Sequence, residues 1–171
     1  MPMKPIEGKE FDPYYSSYVN KVKASTVVDI LQNSLDDSLT FYKSIAQDKW
    51  SFSYAEGKWT IKEILLHLID AERVFGYRAM CVSRKEKLEL PGFDHDEYLK
   101  NSKANSRSYE SLIEEYEAVR KASISLFKSF DDETLSNLGV ANGSPISVKA
   151  LAYIIAGHEL HHNSVIKERY L

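Results

Sequence analysis

The stretch 56-EGKWTIKEILLHLIDAERVFGYRAM-80 contains the clearest helix start in the chain. Thr60 and Glu63 have the spacing of a capping box, in which each side chain binds the other residue's backbone N–H. Apolar residues then recur at three- and four-residue steps, which is typical of an amphipathic helix. The pattern predicts a helix that is capped at Thr60 and ends near Arg84.

Three further segments show the same apolar period. They predict a first helix from a cap at Ser25 or Thr26 to about Ala46, a third from Ser108 to about Phe130, and a last from about Ser147 almost to Leu171. No convincing strand pattern is present, and we interpret 139-GVANGSP-145 as the break before the last helix. Four helices of roughly 20 residues each predict an all-α fold with a four-helix bundle.

Two segments lie outside this helical pattern. Residues 85–101 carry a Pro-Gly pair and predict a long loop between the second and third helices, long enough to hold a crossover connection. Residues 1–24 contain three prolines and no clear period. We therefore predict an extended N-terminal arm over 1–24 that packs on a helical domain over 25–171.

The composition narrows the class of protein. Of 171 residues, 43% are hydrophobic and 27% are charged, as in an ordinary globular domain. The 22 basic and 25 acidic residues give a net charge of −3, without a basic run that would favour nucleic acid or an anionic membrane. The single cysteine, Cys81, fits a reducing compartment. With no signal-peptide pattern and no apolar run of about 20 residues, we expect a cytoplasmic protein.

The stretch 158-HELHH-162 contains the candidate functional residues of the last helix. On a wheel of about 100° per residue, His158 and His162 lie about 40° apart within the apolar stripe, while Lys149 and Lys167 lie on the opposite face. A buried imidazole without a partner costs about 1–3 kcal/mol. One divalent ion can satisfy two histidines at this spacing. The pair therefore favours a metal site over two hydrogen-bonded core histidines.

A metal site needs a third ligand. His67, on the predicted second helix, is the candidate, because facing helices of a bundle commonly supply ligands together. His161 lies on the flank of the stripe, where it is either close to the site or half-exposed. We expect His95, in the loop, to be solvated.

The same stretch also matches the H-E-x-x-H pattern of zinc proteases, but its surroundings do not fit. One class of these enzymes takes a third ligand six residues after the second histidine, following a glycine turn. Here Val165 occupies the turn position and Glu168 the ligand position. Without the turn, Glu168 lies on another side of the helix. Glu159 is better interpreted as a structural glutamate than as a general base.

Three blocks together resemble the DinB/YfiT-like superfamily of metalloenzymes: 56–80, 91-PGFDHDEY-98 and 141-ANGSPISVKALAYIIAGHELHHNSVIKERYL-171. The likeness extends from about residue 25 to the end of the sequence. It implies a DinB-like bundle with an up-down-down-up path. It also implies a divalent metal, zinc or nickel, bound by His67, His158 and His162, with water or substrate completing the shell. Relatives in this superfamily are commonly homodimers.

The resemblance leaves several functions open. The leading hypothesis is an enzyme, either a transferase that uses a low-molecular-weight thiol such as bacillithiol, mycothiol or glutathione, or a hydrolase. A hydrolase would need a base, for which Asp70 and Glu159 are weak candidates. The alternative is a non-enzymatic metal-binding stress-response module, whose site would be closed by a fourth ligand such as His95 or Asp94. A metal-free scaffold with buried histidines is the third possibility.

Overall fold

The computed structural model describes residues 6–23 and 26–171, and most of them are helical. Four long helices form the bundle: α2 (Val27–Ser44), α3 (Ile61–Ser83), α5 (Tyr109–Lys128) and α7 (Val148–Arg169). Their bounds agree with the prediction to within about two residues at each end. None of the described helices combines the length and apolar character that a membrane span requires.

Three short helices connect or flank the bundle: α1 (Ser16–Val19), α4 (His95–Asn101) and α6 (Asp132–Leu135). Thr26 caps α2 by accepting a hydrogen bond from the Asp29 backbone N–H. Ser25, the other predicted cap, lies outside the described residues. In α3 both bonds of the predicted capping box are present, at 3.2 Å from the Glu63 N–H to Thr60 and 2.7 Å from the Thr60 N–H to Glu63.

The path of the chain follows from which helix packs on which. Both α2 and α3 pack on α5 and α7, so α2 and α3 occupy opposite corners of the bundle. Side-chain bonds from α2 to α7 advance together along both helices, from Ser34–Glu159 to Tyr42–Asn163, so these helices are parallel.

The other two long helices run the opposite way. Bonds from Thr60 to Asn105, just before α5, and from Arg120 back to Glu72 advance together, so α3 and α5 are parallel. Tyr170, at the end of α7, donates to the carbonyl of Trp59, just before α3, so α3 and α7 are antiparallel. This is the up-down-down-up path.

A small β-hairpin corrects the expectation that the chain has no strands. Strands β1 (Leu138–Ala141) and β2 (Ser144–Ser147) pair antiparallel just before α7. Their two-residue turn has positive φ at Asn142 (51°) and Gly143 (76°), as a type I′ turn requires. Asn-Gly is a strong hairpin signal, but these strands are only four residues long.

The long loop between α3 and α5 folds back onto this hairpin. The Leu90 N–H donates to the carbonyl of Val140 at 2.9 Å, and the Asn142 N–H donates to the carbonyl of Leu90 at 3.0 Å. The loop then enters α4, which Asp94 caps through its side chain. The predicted long loop is therefore attached to the hairpin, beside one end of the bundle.

The N-terminal segment packs on α7, and it is partly helical rather than extended throughout. A Cβ atom on Gly157 would lie 2.1 Å from the carbonyl oxygen of Tyr18, so only glycine permits this approach. Lys149, which the wheel places opposite the apolar stripe, is 6% exposed, and its Nζ lies 3.2 Å from a carboxylate oxygen of Glu10. It is buried because the N-terminal segment that carries Glu10 covers that side of α7. The division of the chain into an arm over 1–24 and a domain over 25–171 stays a prediction.

Candidate metal centre

Three histidines from two helices converge between α3 and α7. The Nε2 atom of His158 lies 3.0 Å from Nε2 of His67 and 3.1 Å from Nε2 of His162. One ring nitrogen from each of the three lies within 4.8 Å of the other two. His67 and His158 are each only 8% exposed. The structure thus brings together the three residues predicted as ligands.

Burial keeps these rings neutral. It lowers the pKa of His67 to about 4, with a further lowering from His95. Burial, and then the neighbouring histidines, lower the pKa of His162 to about 3 and that of His158 well below its ordinary value. Neutral imidazole is the form that ligates metals, so at neutral pH each ring has a lone pair to offer.

The spacing of the nitrogens fits a shared divalent ion. Metal–nitrogen bonds of about 2.0–2.1 Å in a tetrahedral arrangement separate two ligand nitrogens by about 3.3 Å. The two short separations, 3.0 and 3.1 Å, are close to this value. A ring nitrogen carries either one proton or one lone pair, so Nε2 of His158 cannot make two good hydrogen bonds at once. A cation would satisfy all three nitrogens together.

A buried polar network fixes the rotation of α7, and with it the histidine pair. Glu159, which follows His158, is 1% exposed. Its carboxylate accepts hydrogen bonds of 2.5–2.6 Å from four side chains on α2 and α5: Ser34, Ser38, Tyr116 and Arg120. Asn163, which follows His162, donates to Ser38 and accepts from Tyr42. Both histidines are therefore held by the residues next to them.

Arg120 connects this network to the helix that carries His67. Its Nε donates to the Glu72 carboxylate at 2.8 Å and its Nη2 to the Glu159 carboxylate at 2.6 Å. Arg120 is 1% exposed and Glu72 is 4% exposed. These two ion pairs were not predicted from the sequence. An arginine within the apolar face of a predicted helix was the available signal, but its distant partners cannot be read from spacing.

A cavity of about 430 Å³ opens beside the three histidines. Its walls come from α3, α7, the arm, the loop and the hairpin. Aromatic side chains form much of the lining: Tyr14, Tyr15, Tyr18, Trp59, Phe75 and Phe93. Tyr18 contacts the ring of His158, with 5.3 Å between ring centroids, so the arm forms a wall directly at the histidines.

The other predicted site residues lie at different distances from this cluster. His161 and His95 line the cavity outside the group of three, and the His95 ring centroid lies 5.5 Å from that of His67. The His95 side chain is 49% exposed, as expected for a solvated residue. Neither base candidate lines the cavity: Glu159 belongs to the buried network, and Asp70 lies 3.7 Å from Arg73.

The sequence is similar to that of known proteins. The sequence matches the family model of the DinB superfamily over residues 30–166. It is 28% identical over 126 residues to an Oceanobacillus iheyensis protein named "Putative metal-dependent hydrolase OB0413", a match that covers 72% of each chain.

Two solved structures share the fold at low sequence identity. YfiT from Bacillus subtilis, described as "a probable metal-dependent hydrolase with an unusual four-helix bundle topology", aligns with a TM-score of 0.68 at 12% identity over 97% of this chain and 91% of its own. A mycothiol-dependent maleylpyruvate isomerase aligns with a TM-score of 0.69 at 8% identity over 85% of this chain. This chain covers 61% of that isomerase. Because the family match spans most of the sequence, the protein belongs to the DinB superfamily.

Proposed function

We propose that the protein is a metal-dependent enzyme in which His67, His158 and His162 bind one divalent ion, zinc or nickel. The convergence of three neutral imidazoles, two buried and one partly buried, on the lining of a cavity is the observation that carries this proposal. A divalent ion with three histidine ligands supplies a Lewis acid that lowers the pKa of a water or thiol bound to it. The residues of the chain supply the largely aromatic walls around the histidines and hold the imidazoles in place.

A fourth protein ligand would favour a structural or sensory site instead. The two candidates from the sequence do not fill that role. His95 stands outside the group of three, and Asp94 uses its side chain to cap α4. Among the described residues the group therefore has three members, and its open side faces the cavity. This favours an enzyme over a non-enzymatic metal-binding module.

For the reaction, we favour transfer involving a low-molecular-weight thiol. Asp12 is the one carboxylate among the described residues of the cavity lining, and it accepts hydrogen bonds from Ser144 and from the Tyr14 N–H. A carboxylate base close to the histidines is therefore lacking in that lining. A thiol needs less help than water to lose its proton, since its ordinary pKa is about 8.5. The fold shared with a mycothiol-dependent isomerase is consistent with this choice.

Hydrolysis is the second candidate. The Oceanobacillus relative named as a metal-dependent hydrolase favours it. In this version His95 or His161, both on the cavity lining, would accept a proton from water, because Asp70 and Glu159 point elsewhere.

The test combines metal content with two assays. Protein purified without chelator is analysed for metals, then incubated with bacillithiol, mycothiol or glutathione plus a chloronitrobenzene electrophile, and separately with activated esters. We expect about one equivalent of metal and thiol transfer that stops on chelation. Ester cleavage without thiol transfer would favour the hydrolase.

His161→Ala is the matched control for His158→Ala. Both residues lie on α7, but only His158 belongs to the group of three. We expect His158→Ala to lose metal and activity together, while His161→Ala keeps its metal. Full metal content in His158→Ala, or its loss in both variants, would contradict the ligand assignment.

A further inference from the structure

The cavity lining also includes a buried charged group away from the histidines. Arg78, on α3, lines the cavity and is 4% exposed. Its Nη2 donates to the carbonyl of Pro91 at 2.7 Å, and its guanidinium lies 5.8 Å from the centre of the Phe75 ring. Tyr15 lies close to the guanidinium: burial raises the pKa of the Tyr15 hydroxyl, and the Arg78 charge lowers that pKa in part. The Nε of Arg78 is buried without a hydrogen-bond partner.

The charge of Arg78 is not neutralised as that of the other buried arginine is. Arg120 bonds to two carboxylates, those of Glu72 and Glu159. Within residues 6–23 and 26–171, no carboxylate oxygen lies within 4.0 Å of the Arg78 guanidinium. A buried charge without a counter-charge is costly, so folds retain it mainly where it has a use.

The position of Arg78 relative to the histidines suggests that use. It follows His67 by 11 residues on the same helix, which places it about 20° around and about 16 Å along the axis. The Arg78 guanidinium lies 5.8 Å from the centre of the Phe75 ring, and that ring lies 6.4 Å from the His158 ring, so the guanidinium is at most 12.2 Å from the His158 ring. Phe75 lies between them on the same wall.

We propose that Arg78 binds an oxyanion, a carboxylate or a phosphate, on a small molecule whose apolar body lies along the aromatic walls. Guanidinium is the side chain best suited to planar, forked recognition of such groups. Tyr15 lies at the same end of the cavity and offers a hydroxyl. The orientation, with the anion at Arg78 and the reacting group at the histidines, rests on the proposed function. The binding of the anion does not.

The test uses three probes that share one apolar body: 3-phenylpropanoate, 2-phenylethyl phosphate and the uncharged 3-phenylpropanamide. Calorimetry measures their affinities for wild type, Arg78→Met, Arg78→Lys and the control Arg84→Met. We expect wild type to bind at least one anion more tightly than the amide, and Arg78→Met to lose about tenfold or more of that affinity while binding the amide unchanged. The preferred anion identifies the ligand class.

A conservative variant and a control variant sharpen the result. Arg78→Lys keeps a charge but not the fork, so it should fall between wild type and Arg78→Met. Arg84, at the end of the same helix, is exposed and lies outside the cavity, so Arg84→Met should bind every probe as wild type does.

Two measurements separate this inference from the proposed function and from a purely structural role. Repeating the titrations with His158→Ala removes a ligand of the proposed metal, and anion binding should persist there. If Arg78 only anchors the loop at Pro91, Arg78→Met will melt several degrees lower and will weaken the amide as much as the anions. That outcome, or equal binding of anion and amide by wild type, would overturn the inference.

Discussion

At the scale of single residues, Arg120 connects three other helices of the bundle through buried hydrogen bonds. Its partners lie on three helices: Ser34 on α2, Glu72 on α3 and Glu159 on α7. Removing one partner of a buried ion pair leaves the other charges uncompensated, at a cost of about 3–5 kcal/mol. A single substitution in this network should therefore lower the free energy of unfolding markedly.

We expect Arg120→Met to lower the free energy of unfolding by about 3–5 kcal/mol in urea denaturation. Arg107→Met is the control. Arg107 also pairs with a carboxylate, that of Glu115, but its side chain is 30% exposed, and such pairs contribute about 1 kcal/mol or less. Similar losses in both variants would mean that the buried network does not act as described.

The positions of some of these side chains could be predicted from the sequence, and those of others could not. His158 and His162 were found because helical periodicity places them on one apolar stripe, and His67 because facing helices of a bundle commonly supply ligands together. The partners of Arg120 were not, because pairing over separations such as 48 residues depends on packing that no local pattern records. The burial of Lys149 could not be predicted for a related reason, since the residue that pairs with it, Glu10, comes from far along the chain.

At the scale of elements, local chemistry decided what could be predicted. The start of α3 was predicted to the residue because the capping box uses contacts only three residues apart. The hairpin was missed although Asn142-Gly143 is a strong turn signal, since four-residue strands leave little alternation to recognise. The loop over 85–101 was identified, but its anchoring on β1 could not be read from sequence.

Gly157 tests the packing of the arm on α7. We expect Gly157→Ala to destabilise the protein by roughly 1–3 kcal/mol, because the new methyl group would overlap the carbonyl of Tyr18. Thermal denaturation, with trypsin cleavage near Lys21 as a second readout, measures the change.

Gly76→Ala is the matched control for this variant. Gly76 lies within α3, and the nearest atom to its new Cβ would be the Ser123 Oγ at 4.0 Å. Alanine should stabilise that helix by up to about 1 kcal/mol. Equal effects of the two substitutions would show that the close approach of the arm is unimportant.

At the scale of the whole molecule, Glu10 couples the attachment of the arm to pH. Burial raises the pKa of Glu10, but hydrogen bonds from the Glu7 N–H, Ser147 and Lys149 outweigh burial and leave the pKa below its ordinary value. The carboxylate therefore stabilises the fold above that ordinary value, and the contribution is lost as pH falls through the folded-state pKa.

Glu10→Gln should consequently be less stable than wild type at pH 7, and the difference should shrink at about pH 3, because the wild-type carboxylate takes up a proton as the pH falls through its folded-state pKa. Urea denaturation at the two pH values measures the difference. A gap that stayed constant with pH would contradict the assignment of Glu10 as an ionised partner of Ser147 and Lys149.

Metal binding should also change the stability of the whole chain. A ligand that binds only the folded state adds about 4 kcal/mol when its free concentration is about 1,000 times its Kd. We expect added zinc or nickel to raise the melting temperature of chelator-treated wild type and of His161→Ala, but not of His158→Ala. An unchanged wild-type melting temperature would support the metal-free scaffold.

The separation of the proposed ligands along the chain sets the timing of metal capture. His67 and His158 stand 91 residues apart, so only one of the three rings is available until α7 leaves the ribosome. At elongation rates of about 5–20 residues per second, a nascent chain waits roughly 5–20 seconds between the first ligand and the others. On our proposal, metal binding is therefore a late step in biogenesis. A cell starved of the ion would accumulate chains whose helices have formed but whose proposed metal site is empty.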